Sequence, residues 1–179
     1  MLYAFGFERV AVVACDLYFE DPDPEPDQPG PEQGVRLELR SLERGALRGS
    51  IYSAQPIAVE RPLWRADLLE SVDRPGSLDR AHHHPRFAGW EPGRRHFDDD
   101  LTADPVAWVG RRLGDVGALL AEAGVPDALG PDDAADLAAA VPEIVAAVER
   151  LLGRVRAAGY GDPGRRPPAG PDGARVGWL

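Results

Sequence analysis

Residues 81–100 read AHHHPRFAGWEPGRRHFDDD, and the pattern of apolar residues changes on either side of this stretch. Before it, apolar residues alternate with polar ones or form short runs rich in Val, Tyr and Phe, as is typical of β-strands. After it, apolar residues recur every three or four positions, as on one face of a helix. All four histidines of the chain lie within the stretch. The sequence therefore predicts an α+β protein in which this stretch connects a sheet to helices and carries the candidate site.

The residues before position 73 predict an N-terminal antiparallel sheet of about four or five strands. Residues 2–7 and 10–19 are nearly continuous apolar runs, which indicates buried strands. Residues 35–40 alternate apolar and charged side chains, and residues 63–69 do the same after Pro62. Pro56 marks a bend or an edge position in residues 51–60. The short turns between these segments favour an antiparallel meander.

The residues after the histidine stretch predict a C-terminal antiparallel pair of helices. Asp104 and Pro105 suit an N-cap and a first turn, and this helix is expected to end near Gly124. The second helix is expected to start at Pro131, with Pro142 either kinking it or dividing it in two. The apolar stripes of the two helices are Val106, Val109, Leu113, Val116 and Leu120, and then Leu137, Val141, Val145, Val148, Leu152 and Val155.

Residues 1–159 are predicted to form a single domain, since a chain of 179 residues is long enough for one well-buried core. The acidic, proline-rich residues 21–34 predict a flexible loop, because they offer few apolar groups to bury. Residues 160–179 are rich in Gly, Pro and Arg and predict a disordered tail.

The composition indicates a soluble, cytoplasmic, bacterial protein. All 20 basic residues are arginine, which is typical of a GC-rich bacterial genome, and the single Cys15 suits a reducing compartment. The net charge of -10 and the pI of about 4.8 argue against general affinity for nucleic acid or an anionic membrane. No apolar run reaches the length of a membrane-spanning helix.

The histidine triplet predicts a possible metal site. In an extended segment, His82 and His84 point to the same face, so that both imidazoles can bind one ion. His96 is a candidate third ligand, and Glu91 or one of the aspartates at positions 98 and 100 is a candidate oxygen donor. Such a set suits divalent Zn, Fe or Mn with an open coordination position.

The same residues resemble the metal motif of the cupin family over about 20 positions. Gly76 is followed after five residues by the pair His82 and His84, and a G-x-x-H sequence ends at His96. The resemblance implies that the three histidines ligate a metal. Glu91 lies further from His84 than the motif places its glutamate, and the chain turns helical where a cupin barrel has further strands.

Two other interpretations of this stretch stay open at the level of sequence. The histidines can be structural groups that bond backbone carbonyls without any metal. Alternatively, a histidine such as His83 and the guanidinium groups of Arg94 and Arg95 can bind an anion or another small molecule.

No complete catalytic signature is present in the sequence. A nucleophile elbow, a phosphate-binding loop and a dinucleotide fingerprint are all absent, and an apolar strand is a poor setting for a nucleophilic cysteine. The sequence therefore favours a non-catalytic binding or accessory module, with a protein partner or a second copy docking on the helical pair. The alternative is a metal-dependent enzyme or metal-binding protein that uses His82, His84, His96 and a carboxylate.

Overall fold

The computed structural model describes residues 1–24 and 29–178. Five strands form an antiparallel meander in chain order: β1 (Leu2–Gly6), β2 (Val10–Glu20), β3 (Glu32–Arg44), β4 (Ile57–Ser71) and β5 (His82–His84). A separate two-stranded hairpin follows, made of β6 (Phe87–Ala88) and β7 (Glu91–Pro92). The α+β fold with an N-terminal antiparallel sheet is therefore confirmed.

Within residues 1–24 and 29–178, the helical half consists of four α-helices where the sequence predicts two. They are α1 (Asp99–Ala103), α2 (Pro105–Gly114), α3 (Val116–Ala123) and α4 (Asp133–Ala158). The first predicted helix is divided at Asp115, which leaves the helical conformation and caps α3 by accepting a 3.1 Å hydrogen bond from the Ala118 amide. In contrast, α4 continues through Pro142 as one helix. None of the helices within the described residues has the length and apolar character needed to cross a membrane.

The hydrophobic core lies between one face of the sheet and the helices. Residues at alternate positions of β2, β3 and β4 point to this face, because side chains alternate along a strand. Gly110 brings α2 close to α4, since a Cβ atom there would lie 3.4 Å from the Val145 Cγ2 atom. The largest fully buried side chains are Trp64, Tyr18, Leu37, Leu39, Leu68, Leu101, Leu113, Leu119, Leu120, Leu137, Ile144 and Leu151.

The start of α4 is fixed to the turn between β1 and β2 by one buried carboxylate. Asp133 is fully buried, and its side chain accepts hydrogen bonds from the backbone amides of Glu8 at 2.6 Å, Arg9 at 3.1 Å and Gly130 at 2.6 Å. These bonds satisfy amide groups of the β1–β2 turn and of the loop before α4 that would otherwise lack partners.

Strand β4 passes straight through Pro62, where the sequence suggests a boundary between two strands. Its pairing with β3 is irregular there, with register shifts between Leu39 and Arg40 and between Arg40 and Leu42. A proline lacks the amide donor of a regular ladder, so an irregular position in the pairing accommodates it. Residues 51–56, in contrast, form turns and irregular backbone before the strand begins.

Two segments that the sequence predicts to be flexible or disordered contain strand residues. Strand β3 begins at Glu32, inside the predicted loop 21–34, and residues 25–28 of that loop lie outside the described residues. In the predicted tail, Pro163–Arg165 form a 3-10 turn, and Arg175–Trp178 form β8, which pairs antiparallel with β2. β1 pairs with β2 only as far as Cys15, so the backbone of β2 from Leu17 onwards is available to β8.

Candidate functional site

The sheet face opposite the helices carries two rows of mostly polar and charged side chains. Strand register places the members of each row side by side on neighbouring strands, where cross-strand neighbours are close enough to interact. The first row is Cys15, Arg36, Asp67 and His82, and the second is Val13, Glu38, Arg65 and His84. Pairing of β5 with β4 therefore brings His82 and His84, the H-x-H pair of the sequence, to a charged region of the sheet.

Asp67 is the centre of this cluster. Its side chain is 1% exposed, with Arg36 Nε donating to Oδ1 at 2.7 Å and Arg65 Nε 2.7 Å from Oδ2. Burial by itself raises the pKa of Asp67, but two influences outweigh it: the polar contact with the His84 ring, whose Nε2 lies 3.5 Å from Oδ2, and the positive charges of Arg36 and Arg65. Together they hold this pKa well below its usual range, so Asp67 is a carboxylate at neutral pH.

His82 and His84 are oriented by backbone carbonyls. The Nδ1 atom of His82 lies 2.8 Å from the Arg80 oxygen, and that of His84 lies 2.8 Å from the Gly93 oxygen. A carbonyl oxygen only accepts hydrogen bonds, so each Nδ1 carries a hydrogen. The opposite atoms of the two rings, Nε2, both lie 3.5 Å from Asp67 Oδ2. Burial lowers the pKa of His82 to about 4, although the charge of Asp67 acts in the opposite direction, so this ring is neutral at pH 7.

These three side chains have the donor atoms of a metal site. Asp67, His82 and His84 are all buried, and their ligand atoms lie within 4.8 Å of one another. Two imidazole nitrogens and one carboxylate oxygen form a donor set that divalent transition metals accept.

A cavity of about 440 Å³ opens beside the cluster. Its lining includes four arginines and two carboxylates, a formal excess of two positive charges, whereas the whole chain carries a net charge of -10. Leu17, Phe19, Leu69 and Pro92 add apolar surface. The polar lining residues are Glu32, Arg36, Arg65, Asp67, His82, His84, Arg94 and Arg95.

The structure brings part of the sequence-predicted site together. His82 and His84 share one face, and Arg94 and Arg95 are exposed residues that line the same cavity. His83 points to the helical side, where its ring lies 5.0 Å from the Trp108 ring and 6.4 Å from the Trp64 ring. His83 therefore packs in the core and is not among the cavity residues.

His96 and Glu91 lie apart from the histidine pair. The backbone of His96 bonds that of His83, with N–O distances of 3.0 and 2.8 Å, and the rings of these two residues are 5.5 Å apart. His96 is exposed and lies on the His83 side of β5, while Glu91 is exposed in the β6–β7 hairpin. The cupin resemblance therefore does not extend to the fold, because the third histidine lies on the other side of β5 and four helices follow it.

Sequence reasoning missed Asp67, Arg36, Arg65 and Glu32. The alternation in β3 and β4 suggests that the charged face of these strands is solvated, but the structure leaves Arg65 only 12% exposed and Asp67 only 1% exposed. A useful signal was present, since charged residues of both signs recur at alternate positions in two strands that pair. Opposite charges on adjacent strands can neutralise each other and become buried.

Comparisons of the chain with protein-family models, with curated proteins and with solved structures give no match.

Proposed function

We propose that this protein is a binding module for a small organic anion, which occupies the cavity on the sheet face opposite the helices. The observation that carries the proposal is the excess of positive charge in the cavity lining of a strongly acidic protein. A local positive cavity on an acidic surface attracts anions selectively, because anionic macromolecules are repelled by the remainder of the surface.

Two of the cavity arginines are held in place before any ligand arrives. Arg36 is bonded through Nε to a fully buried carboxylate, Asp67, which leaves its terminal nitrogens to a ligand. Arg65 lies against the same carboxylate and is mostly buried. Guanidinium groups fixed in this way bind a carboxylate or phosphate with little loss of conformational entropy.

The apolar part of the cavity lining favours a ligand with an apolar group. Leu17, Phe19 and Leu69 contribute side chains that a small inorganic ion would not cover. A cavity of about 440 Å³ is within the range of small-molecule sites. An organic carboxylate or phosphate with a short apolar tail therefore fits both the charge and the surface of the cavity.

Isothermal titration calorimetry tests this proposal on protein purified without a histidine tag. The panel consists of acetate, hexanoate, benzoate, phenyl phosphate, inorganic phosphate and the neutral hexanamide. We expect saturable binding of the organic anions, weaker binding of acetate and inorganic phosphate, and none of hexanamide. Arg36→Gln should weaken binding about 10- to 100-fold, because hydrogen bonds to charged groups contribute about 1.5–3 kcal/mol.

Arg111→Gln is the matched control, because Arg111 is an exposed arginine of α2 outside the cavity lining. It removes the same charge and should leave ligand affinity unchanged. Equal losses in the two variants, or no saturable binding of any organic anion to the folded protein, would refute the proposal.

A further inference from the structure

We infer that Asp67, His82 and His84 form a binding site for one divalent transition metal ion of the Zn²⁺, Fe²⁺ or Mn²⁺ class. These three residues are part of the lining of the anion cavity, and metal binding to them does not require that the anion proposal is correct. It uses two of the histidines that the sequence indicates and a carboxylate that only the fold brings to them.

The orientation of both imidazoles is that of metal ligands. Each ring donates from Nδ1 to a backbone carbonyl, of Arg80 for His82 and of Gly93 for His84, both at 2.8 Å. In its neutral form each ring therefore presents a lone pair at Nε2, towards Asp67. Metal-bound histidines are commonly held in this way, with the second ring nitrogen bonded to a carbonyl or carboxylate.

The distances suit a small ion. Each Nε2 lies 3.5 Å from Asp67 Oδ2. Ligand atoms of a tetrahedral ion with bonds of about 2.1 Å are about 3.4 Å apart, so these two distances already match. The positive charge that lies against these acceptor atoms in the structure is that of Arg65, whose Nε is 2.7 Å from Oδ2 and whose Nη2 is 2.9 Å from His84 Nε2.

The Asp67 carboxylate has one satisfied and one unsatisfied oxygen. Arg36 bonds Oδ1, whereas Oδ2 is buried and has no hydrogen bond of good geometry within residues 1–24 and 29–178. Arg65 Nε is 2.7 Å from Oδ2, but it too lacks a properly directed hydrogen bond. Arg36 thus orients the carboxylate from one side and leaves Oδ2 directed towards the two histidines.

The Arg65 guanidinium would compete with a metal ion for this site. Its terminal nitrogen lies 2.9 Å from His84 Nε2, so its guanidinium occupies part of the space that an ion would take. The positive charge of Arg65 also lies against the Asp67 oxygen that an ion would use, with Nε 2.7 Å from Oδ2. Removing the positive charge of Arg65 should therefore strengthen metal binding, an effect that a merely structural cluster would not produce.

The test uses untagged, chelator-treated protein titrated with Co²⁺, whose visible absorption reports nitrogen and oxygen coordination, followed by displacement with Zn²⁺. We expect one ion per chain. His82→Gln and His84→Gln should each weaken binding at least about 100-fold, since they remove a direct ligand. Arg65→Gln should bind more tightly than the unmodified protein, and circular dichroism should show that every variant is folded.

His96→Gln is the matched control, because it removes an exposed histidine of the same segment that lies outside the cluster. It should bind Co²⁺ like the unmodified protein. The inference is overturned if the folded protein binds neither Co²⁺ nor Zn²⁺ saturably, if His96→Gln loses as much affinity as His84→Gln, or if Arg65→Gln weakens binding.

Discussion

Replacement of Asp67 by asparagine should destabilise the fold strongly, although the two side chains have nearly the same shape. Asp67 is 1% exposed and neutralises Arg36 and Arg65, which are 27% and 12% exposed. Asparagine keeps the volume and removes the negative charge. Two guanidinium groups would then lie close together in a mostly buried region after losing the carboxylate that both of them contact.

The expected loss is about 3 kcal/mol at pH 7, the lower part of the range for breaking a buried ion pair, because Arg36 retains some contact with water. The folded-state pKa of Asp67 lies below the usual value, so its contribution is complete above the unfolded pKa of about 3.9. That contribution is lost as the pH falls through the lower folded-state pKa. The stability difference between the two proteins should therefore be constant from pH 7 to about pH 5 and shrink in stronger acid.

Urea unfolding followed by tryptophan fluorescence measures this difference at a series of pH values. Glu122→Gln is the control, because Glu122 pairs with Arg112 on the helical side and is 42% exposed, so its loss should cost less than about 1 kcal/mol. A difference below about 1 kcal/mol for Asp67→Asn at pH 7, or one that does not change in acid, would show that this carboxylate does not hold the arginines in place.

Three further predictions concern other residues of the fold. Gly34→Ala should lower the melting temperature clearly, because a Cβ atom there would lie 2.1 Å from the Leu68 backbone oxygen and the φ angle is +155°. Gly153→Ala should instead stabilise the protein by about 0.5–1 kcal/mol, because Gly153 lies inside α4 and a Cβ atom there would have nothing within 4 Å. Asp133→Ala should cost about 3 kcal/mol in urea unfolding, since it leaves backbone amides of the β1–β2 turn and of the loop before α4 without an acceptor. Burial raises the pKa of Cys15 to about 11, so its thiol should not react with Ellman's reagent at pH 8 until urea unfolds the protein. A rise in stability for Gly34→Ala, a neutral Asp133→Ala, or rapid reaction of the folded thiol would contradict these expectations.

Local patterns were sufficient for the order and type of the main elements. Alternation and apolar runs identified the strands, and the helical period identified the second half of the chain. The predicted ends of strands and helices were less accurate than their type, because single residues decide where an element begins or ends. Asp115 interrupts a continuous apolar stripe by capping a new helix, and Pro62 is accommodated in β4 by irregular pairing with β3.

The candidate site was only partly contained in local sequence. The alternation of an extended segment was enough to place His82 and His84 on one face. His96 follows them closely in sequence, yet its backbone pairs with His83 and its ring lies on the opposite side of β5. Distance along the chain therefore did not indicate which histidine would join the pair.

The sequence by itself determined the α+β class, the strand and helix periods and the shared face of the H-x-H pair, because these follow from the backbone geometry of neighbouring residues. Only the tertiary structure decided that Asp67, Arg36 and Arg65 belong to the same site. Their proximity depends on the register between β3, β4 and β5, which brings together residues from three separate parts of the chain. The same pairing buries charges that their local pattern assigned to solvent, since each charge finds its opposite on the adjacent strand.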